Sequence, residues 1–164
     1  MISNNINEII SNIERKEQKI KLATIKALNK MALWLKAQAA KEISEEKKIK
    51  LSLIRKRLRI FKAKASRLDV LIRANLYDIR ASTIGKIQKT RRGSKVGKHE
   101  FIGGFIATMP RGYKGAFERE GKTVLPIKEV KLPLEPEASR IIENLVNYEV
   151  EKVFEKYFRM EFDL

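Results

Sequence analysis

The chain has 164 residues, no cysteine, a hydrophobic fraction of 43% and a formal net charge of +16. That length predicts one domain with enough apolar material for a buried core, and the absence of thiols excludes disulfides, thiolate zinc sites and cysteine nucleophiles. The charge is local: eighteen Lys or Arg and only two acids, Asp69 and Asp78, stand between Lys47 and Lys98, while the remainder holds eighteen of each sign. A neutral protein with one strongly cationic segment has a polarised surface, and such a surface concentrates polyanions, above all nucleic-acid phosphates.

The start, Met1-Ile2-Ser3-Asn4-Asn5, lacks the cationic and apolar regions of a signal peptide. No run approaches the roughly 20 apolar residues of a membrane span. The expectation is a soluble chain made in the cytoplasm. Gly and Pro divide it sharply, for none occurs before Gly85, and all eight Gly and three of the four Pro lie between Gly85 and Pro133. A long stretch without a breaker predicts helices first. Ile9, Ile10, Ile13, Ile20, Ala27, Leu28, Met31 and Leu35 recur at three and four, as one helix face requires. Asn5 with Glu8 resembles a capping box at the start. A helix continuous to Glu42 would span about 55 Å, so it either breaks, with a bend expected near position 16, or projects toward a neighbour. The first region is accordingly set at residues 1–43, and an α+β domain at 44–164.

Ser44, followed by Glu45 and Glu46, marks a second helix start. That helix carries Leu51, Ile54 and Leu58 inward and Lys48, Arg55, Lys56 and Arg59 outward. Arg67 to Ile79 alternates as a strand, with Val70, Ile72, Ala74 and Leu76 on one face and Arg73, Asn75 and Tyr77 on the other. Gly85 to Lys98 is a hairpin or loop with Arg91-Arg92-Gly93 near its tip. Phe101 to Met109 and Tyr113 to Arg119 are strands joined at Pro110-Arg111-Gly112, and Thr123 to Val130 follows after the turn at Glu120-Gly121-Lys122. A last helix over about 136–160 carries Ile141, Ile142, Leu145, Val153, Phe154 and Tyr157 on its buried face. The fold class is α+β: long N-terminal helices, a small, mostly antiparallel sheet over about 67–130, and a C-terminal helix.

Little catalytic chemistry is available. His99 is the single imidazole, and no Cys, second His or acid cluster accompanies it, so no triad, metal cage or cofactor site can be assembled around it. Gly93-Ser-Lys-Val-Gly97-Lys98 has three residues between its glycines where a phosphate loop needs four, and His99 follows Lys98 where Ser or Thr is required. It reads as a turn-rich basic loop. The chain is expected not to be an enzyme, with no small-molecule substrate and no membrane partner.

The cationic segment is the candidate site. Its first run supplies Lys47, Lys48, Arg55, Lys56, Arg59, Lys62 and Lys64, and its second Lys86, Lys89, Arg91, Arg92, Lys95 and Lys98. No zinc-finger spacing or paired RNA-binding aromatics accompany them, so contact with nucleic acid would be with phosphates and insensitive to sequence. An acidic partner surface is the alternative. Glu143, Glu149, Glu151, Glu155, Glu161 and Asp163 on the last helix could themselves meet the basic face of a neighbouring copy, an arrangement that closes head-to-tail into rings.

A further pattern lies in Gly103-Gly104-Phe105-Ile106-Ala107-Thr108-Met109, then Gly115-Ala116-Phe117-Glu118-Arg119-Glu120-Gly121-Lys122, then Leu125-Pro126-Ile127-Lys128-Glu129-Val130. It resembles the prophage minor tail protein Z family of tailed phages, whose pattern is an Ala-Phe-Ile-like strand, Phe-x-Arg-x-Gly-Lys, and Leu-Pro-Ile. The departures are Thr123-Val124, inserted before Leu-Pro-Ile, and Gly103-Gly104 in place of bulkier residues. Phe105, Phe117, Arg119, Gly121, Leu125, Pro126 and Ile127 carry the resemblance and read as structural. Phe117 and Ile127 face the core from adjacent strands, Gly121 permits a turn, and Pro126 marks an edge strand.

The resemblance implies a structural virion protein at the head-proximal end of the tail, one that completes the tail and helps place the genome end in the head–tail channel. Taken with the charge pattern, the expected partners are other copies of itself, neck or tail-tube proteins, and either genomic DNA or an acidic protein surface at the basic face. The charge pattern alone leaves a second reading, a cytoplasmic nucleic-acid-binding protein without sequence preference.

Overall fold

The computed structural model describes residues 2–162, so Asp163 and Leu164 fall outside it. The fold class is α+β, as expected. It opens with α1 (Ile2–Lys47), 46 residues of unbroken helix. Asn5 therefore lies inside the helix and not at its cap, and the charged stretch Glu14 to Lys19 does not interrupt it. From Ala23 onward it buries Ala23, Ala27, Met31, Ala32, Leu35, Ala39, Ala40 and Ile43. Alanine is the best helix former and lets other elements approach closely, so propensity and packing agree there.

The expected helix start at Ser44 is corrected: this residue sits in the last turn of α1. The helix ends beyond it, where the Ile49 amide donates to Ser44 O at 3.1 Å and the Lys48 amide to Glu45 O at 3.3 Å. Lys48 adopts φ +52°. This is a Schellman ending with lysine where glycine is usual, sealed by buried Ile49. The second helix shrinks to α2 (Leu51–Arg55), with Ile54 buried; Leu58, assigned to it from sequence, starts a strand.

Among the described residues two compact units emerge, one of residues 2–39, 58–74 and 142–162, the other of 40–57 and 75–141. In the first, β1 (Leu58–Phe61) and β2 (Leu71–Ala74) form an antiparallel hairpin. The hairpin is tied to α1 by Asn29, whose amide accepts from the Ala63 N–H at 2.8 Å and donates to Ala63 O at 3.3 Å. The expected C-terminal helix is two, α4 (Glu137–Tyr148) and α5 (Val150–Phe162), divided at Glu149. Within this unit α5 lies along α1: Glu161 binds Lys30 and reaches Lys26 at 3.5 Å, and Lys19 lies 4.9 Å from the Phe162 ring. Phe154, Phe158 and Phe162 stack successively along α5, their centroids 5.9 and 5.7 Å apart.

The second unit holds three small antiparallel sheets in place of the expected single one. β3 (Ile79–Arg80) pairs with β10 (Lys131–Leu132) and is followed by α3 (Ala81–Ile84). β4 (Ile87–Lys89), β5 (Gly93–Val96) and β6 (His99–Ile102) form a meander. β7 (Phe105–Thr108), β8 (Lys114–Arg119) and β9 (Ile127–Glu129) form another. Three sequence-derived strands are thereby corrected. Arg67 to Ile79 is interrupted after Ala74, and Phe101 to Met109 is broken by a turn in which Gly103 takes φ +77°. Thr123 to Val130 keeps only its last residues as strand. Of the two readings of Gly85 to Lys98, hairpin or loop, the hairpin holds: β4 and β5 pair with Arg91 and Arg92 in the turn between them, so Gly93 to Val96 is strand where a basic loop was expected.

Candidate anion-binding surface

The β1–β2 hairpin sorts its side chains by the two-residue period of a strand. Leu58 pairs with Ala74 and Ile60 with Ile72 on one face; Arg59 pairs with Arg73 and Phe61 with Leu71 on the other. The first face is apolar. The second sets two guanidiniums directly opposite each other and beside one ring, with Arg59 Cζ 6.0 Å and Arg73 Cζ 5.4 Å from the Phe61 centroid. Like charges directly across a ladder destabilise it, and neither arginine forms an ion pair among the described residues. Asp69 is committed to Arg67 at 2.7 Å. Exposed Lys62 and Lys64 lie in the hairpin loop, closed by mutual bonds between Lys64 and Arg67 of 2.9 and 3.0 Å.

The second unit carries the other sequence-selected cations. Lys48, Arg55, Lys56, Lys86, Lys89, Arg91, Arg92, Lys95 and Lys98 are all exposed. Lys47 differs, for its ammonium donates to Glu137 Oε2 at 2.7 Å and its side chain is only 11% exposed. It also holds the Glu137 carboxyl below the usual carboxylate range. Arg91 and Arg92 occupy the β4–β5 turn, and with Glu100 they line one surface recess. The β5–β6 register sets Lys95 against Glu100, so part of this group is offset by a carboxylate. The cations selected from sequence are thus divided between the two units.

Three other arginines of the segment are structural. Arg57 donates to Tyr77 O at 2.5 Å and Asn75 O at 3.4 Å. Arg67 pairs with Asp69, and Arg80 lies 3.5 Å from Glu129. Arg73, like Lys50, is an exposed cation that sequence reasoning left out of the candidate site. Its exposure was legible from alternation; its position opposite Arg59 was not, because register is a property of two strands.

The motif residues cluster around the β7–β8–β9 sheet. Phe105 and Phe117 are cross-strand partners with centroids 6.4 Å apart, and Arg119 lies 5.9 Å from the Phe105 ring. Phe117 is buried, Ile127 is half-buried on the adjacent edge strand opposite Arg119, and Pro126 immediately precedes that strand. Leu125 is exposed. Gly121 departs from expectation: it has no left-handed φ, and a Cβ there would meet nothing within 4 Å. His99 opens β6, and its Nε2 lies 3.3 Å from Lys48 O, so the imidazole braces the end of α1. No helix of the described residues is long and apolar enough to cross a membrane.

The family model of prophage minor tail protein Z (GPZ) matches residues 4–163. A tail completion protein of Escherichia phage N15 is 25% identical over 123 residues, which cover 68% of this chain and 67% of that protein. No solved structure matches. A match over nearly the whole length, on a chain whose motif residues build a packed sheet, is decisive: the chain belongs to the prophage minor tail protein Z (GPZ) family of phage tail structural proteins.

Proposed function

We propose that this chain completes the head-proximal end of a phage tail as a ring of identical subunits and presents its Lys47–Lys98 cations to the phosphates of the genome end. Family membership supports the tail role, and the N15 relative supports completion as the step. The observation that carries the DNA-facing part is the Arg59–Arg73 pair on Phe61. Its mutual repulsion meets no carboxylate partner among the described residues, and a phosphate between the two guanidiniums would relieve it. The exposed Arg91 and Arg92 of the β4–β5 turn add further cations, beside Glu100. A cytoplasmic nucleic-acid-binding role would draw on the same charges, but it leaves the family relationship without a purpose.

Binding to duplex DNA as a function of salt tests this reading. Engaging six to ten phosphates lowers affinity by roughly 10³–10⁵ between 50 and 200 mM salt. Replacing both Arg59 and Arg73 with Ala should reduce the slope of log K against log salt by about 2, close to 0.9 per lost contact. An unchanged slope would remove the hairpin from the DNA-facing surface.

A further inference from the structure

Along α1 side chains are buried only from Ala23 onward, and before that point Lys19 lies over the Phe162 ring. From residue 5 to residue 22 every position but Ser11 is exposed. This segment is rich in Asn and Ile, which are indifferent helix formers, and a helix of its length is marginal without packing. Its isoleucines are not scattered. At 100° per residue Ile6, Ile9, Ile10, Ile13 and Ile20 fall in one sector about 100° wide, the same sector that holds Ala27, Met31 and Leu35. The buried stripe therefore continues along the helix, uncovered, with its five isoleucines 47% to 59% exposed.

The same unit contains an unfilled apolar cavity of about 280 Å³. Met31 and Leu35 of α1, Leu58 and Ile72 of the hairpin, and Ile142 and Val146 of α4 line it. Val146 is 47% exposed, which brings the cavity to the surface. Lys36 is the charged residue of its lining.

We propose that the isoleucine stripe of one copy seats in the cavity of the next. The inference rests on the ring reading above and names the subunit contact that would build the ring. A second copy is the occupant because every copy carries one protruding apolar surface and one receiving apolar surface at different places on the same unit. Such a pair gives a heterologous, head-to-tail contact of the kind that closes into rings. Pairing two stripes with each other would cover the isoleucines but leave both cavities open.

The absence of native cysteine makes the test clean. Full-length Ile10→Cys and Val146→Cys proteins are mixed under mild oxidation, and self-association of the wild type and of an Ile6→Ser/Ile10→Ser/Ile13→Ser variant is followed by sedimentation. The expected result is a disulfide-linked pair formed between the two single-cysteine proteins, with self-association of the triple variant weakened roughly 100-fold or more. The triple variant should keep the cooperative melting of the wild type, because none of its three sites is buried. Faster linkage of Ile10→Cys to itself would overturn the proposal in favour of stripe-to-stripe pairing. If the wild type and the triple variant form the same ring without mixed linkage, the proposal fails and the ring reading stands. A wild type that remains monomeric at every concentration overturns both.

Discussion

Lys48 offers a perturbation in which stability and function should move in opposite directions. It ends α1 at φ +52°, a conformation costing a side-chain-bearing residue roughly 1–2 kcal/mol. Glycine at this position escapes that cost but brings about 0.4–1 kcal/mol of extra entropy to the unfolded chain. The two bonds that close the helix, from the Ile49 and Lys48 amides, are retained whatever the side chain. Lys48→Gly should therefore stabilise by about 0.5–1 kcal/mol, raising Tm by roughly 1–4 °C for a chain of this size. Lys48→Ala loses the same charge but keeps the strained backbone, so it is the control and should not gain. Both variants remove one exposed cation from the basic segment and should weaken duplex DNA binding alike. Calorimetry and a salt titration on the three proteins suffice. If Lys48→Gly melts no higher than Lys48→Ala, the strain argument is wrong. If it melts higher and binds DNA with the wild-type salt slope, lysine is not held there for its charge.

Three further outcomes follow from the same geometry. Phe117→Ala should cost about 3–5 kcal/mol, the usual range for a buried aromatic, while Gly121→Ala should be nearly neutral because neither φ nor space demands glycine; equal losses in chemical denaturation would contradict this account of the β7–β9 sheet. The Glu161 carboxyl is held below its ordinary value of 4.5, first by the hydrogen bond from Lys30. A depressed folded-state pKa gives stability that is complete above the unfolded value and lost as pH falls through the folded one. Glu161→Gln should thus flatten the acid limb of stability below about pH 5, and an unaltered limb would show that the Lys26–Lys30–Glu161 group contributes nothing to it. Reversing Arg91, Arg92 and Lys95 to Glu should leave a folded protein, with at most about 1 kcal/mol lost from setting a glutamate opposite Glu100. It should damage genome retention in the particle, and normal infectivity would refute the role of this turn.

What the sequence disclosed depended on whether a signal was local. The long helix was legible because no Gly or Pro precedes Gly85 and the apolar spacing is consistently three and four. Its end was not, since lysine takes the conformation expected of glycine, and Ser44, an apparent cap, instead uses its hydroxyl on Ile49 O at 2.6 Å. Alternation from Val70 to Tyr77 matched the observed exposure, yet the strand stops at Ala74. Beyond that point the guanidinium of Arg57 takes up the Asn75 and Tyr77 carbonyls, satisfying backbone acceptors that a ladder would otherwise bind. The charge run located the candidate surface but could not sort it. Lys47 and Arg57 are used internally, whereas Arg59 and Arg73 become a pair only through the β1–β2 register. Nor could spacing reveal that one stripe of α1 is covered at its C-terminal end and bare at the other.

Cryo-electron microscopy of the tailed particle that carries this chain tests the central claim most directly. The account predicts a ring of copies at the head-proximal end of the tail, with Arg59, Arg73, Arg91 and Arg92 within reach of the DNA backbone. Absence of the chain from the mature particle, or a position remote from the genome end, would contradict it.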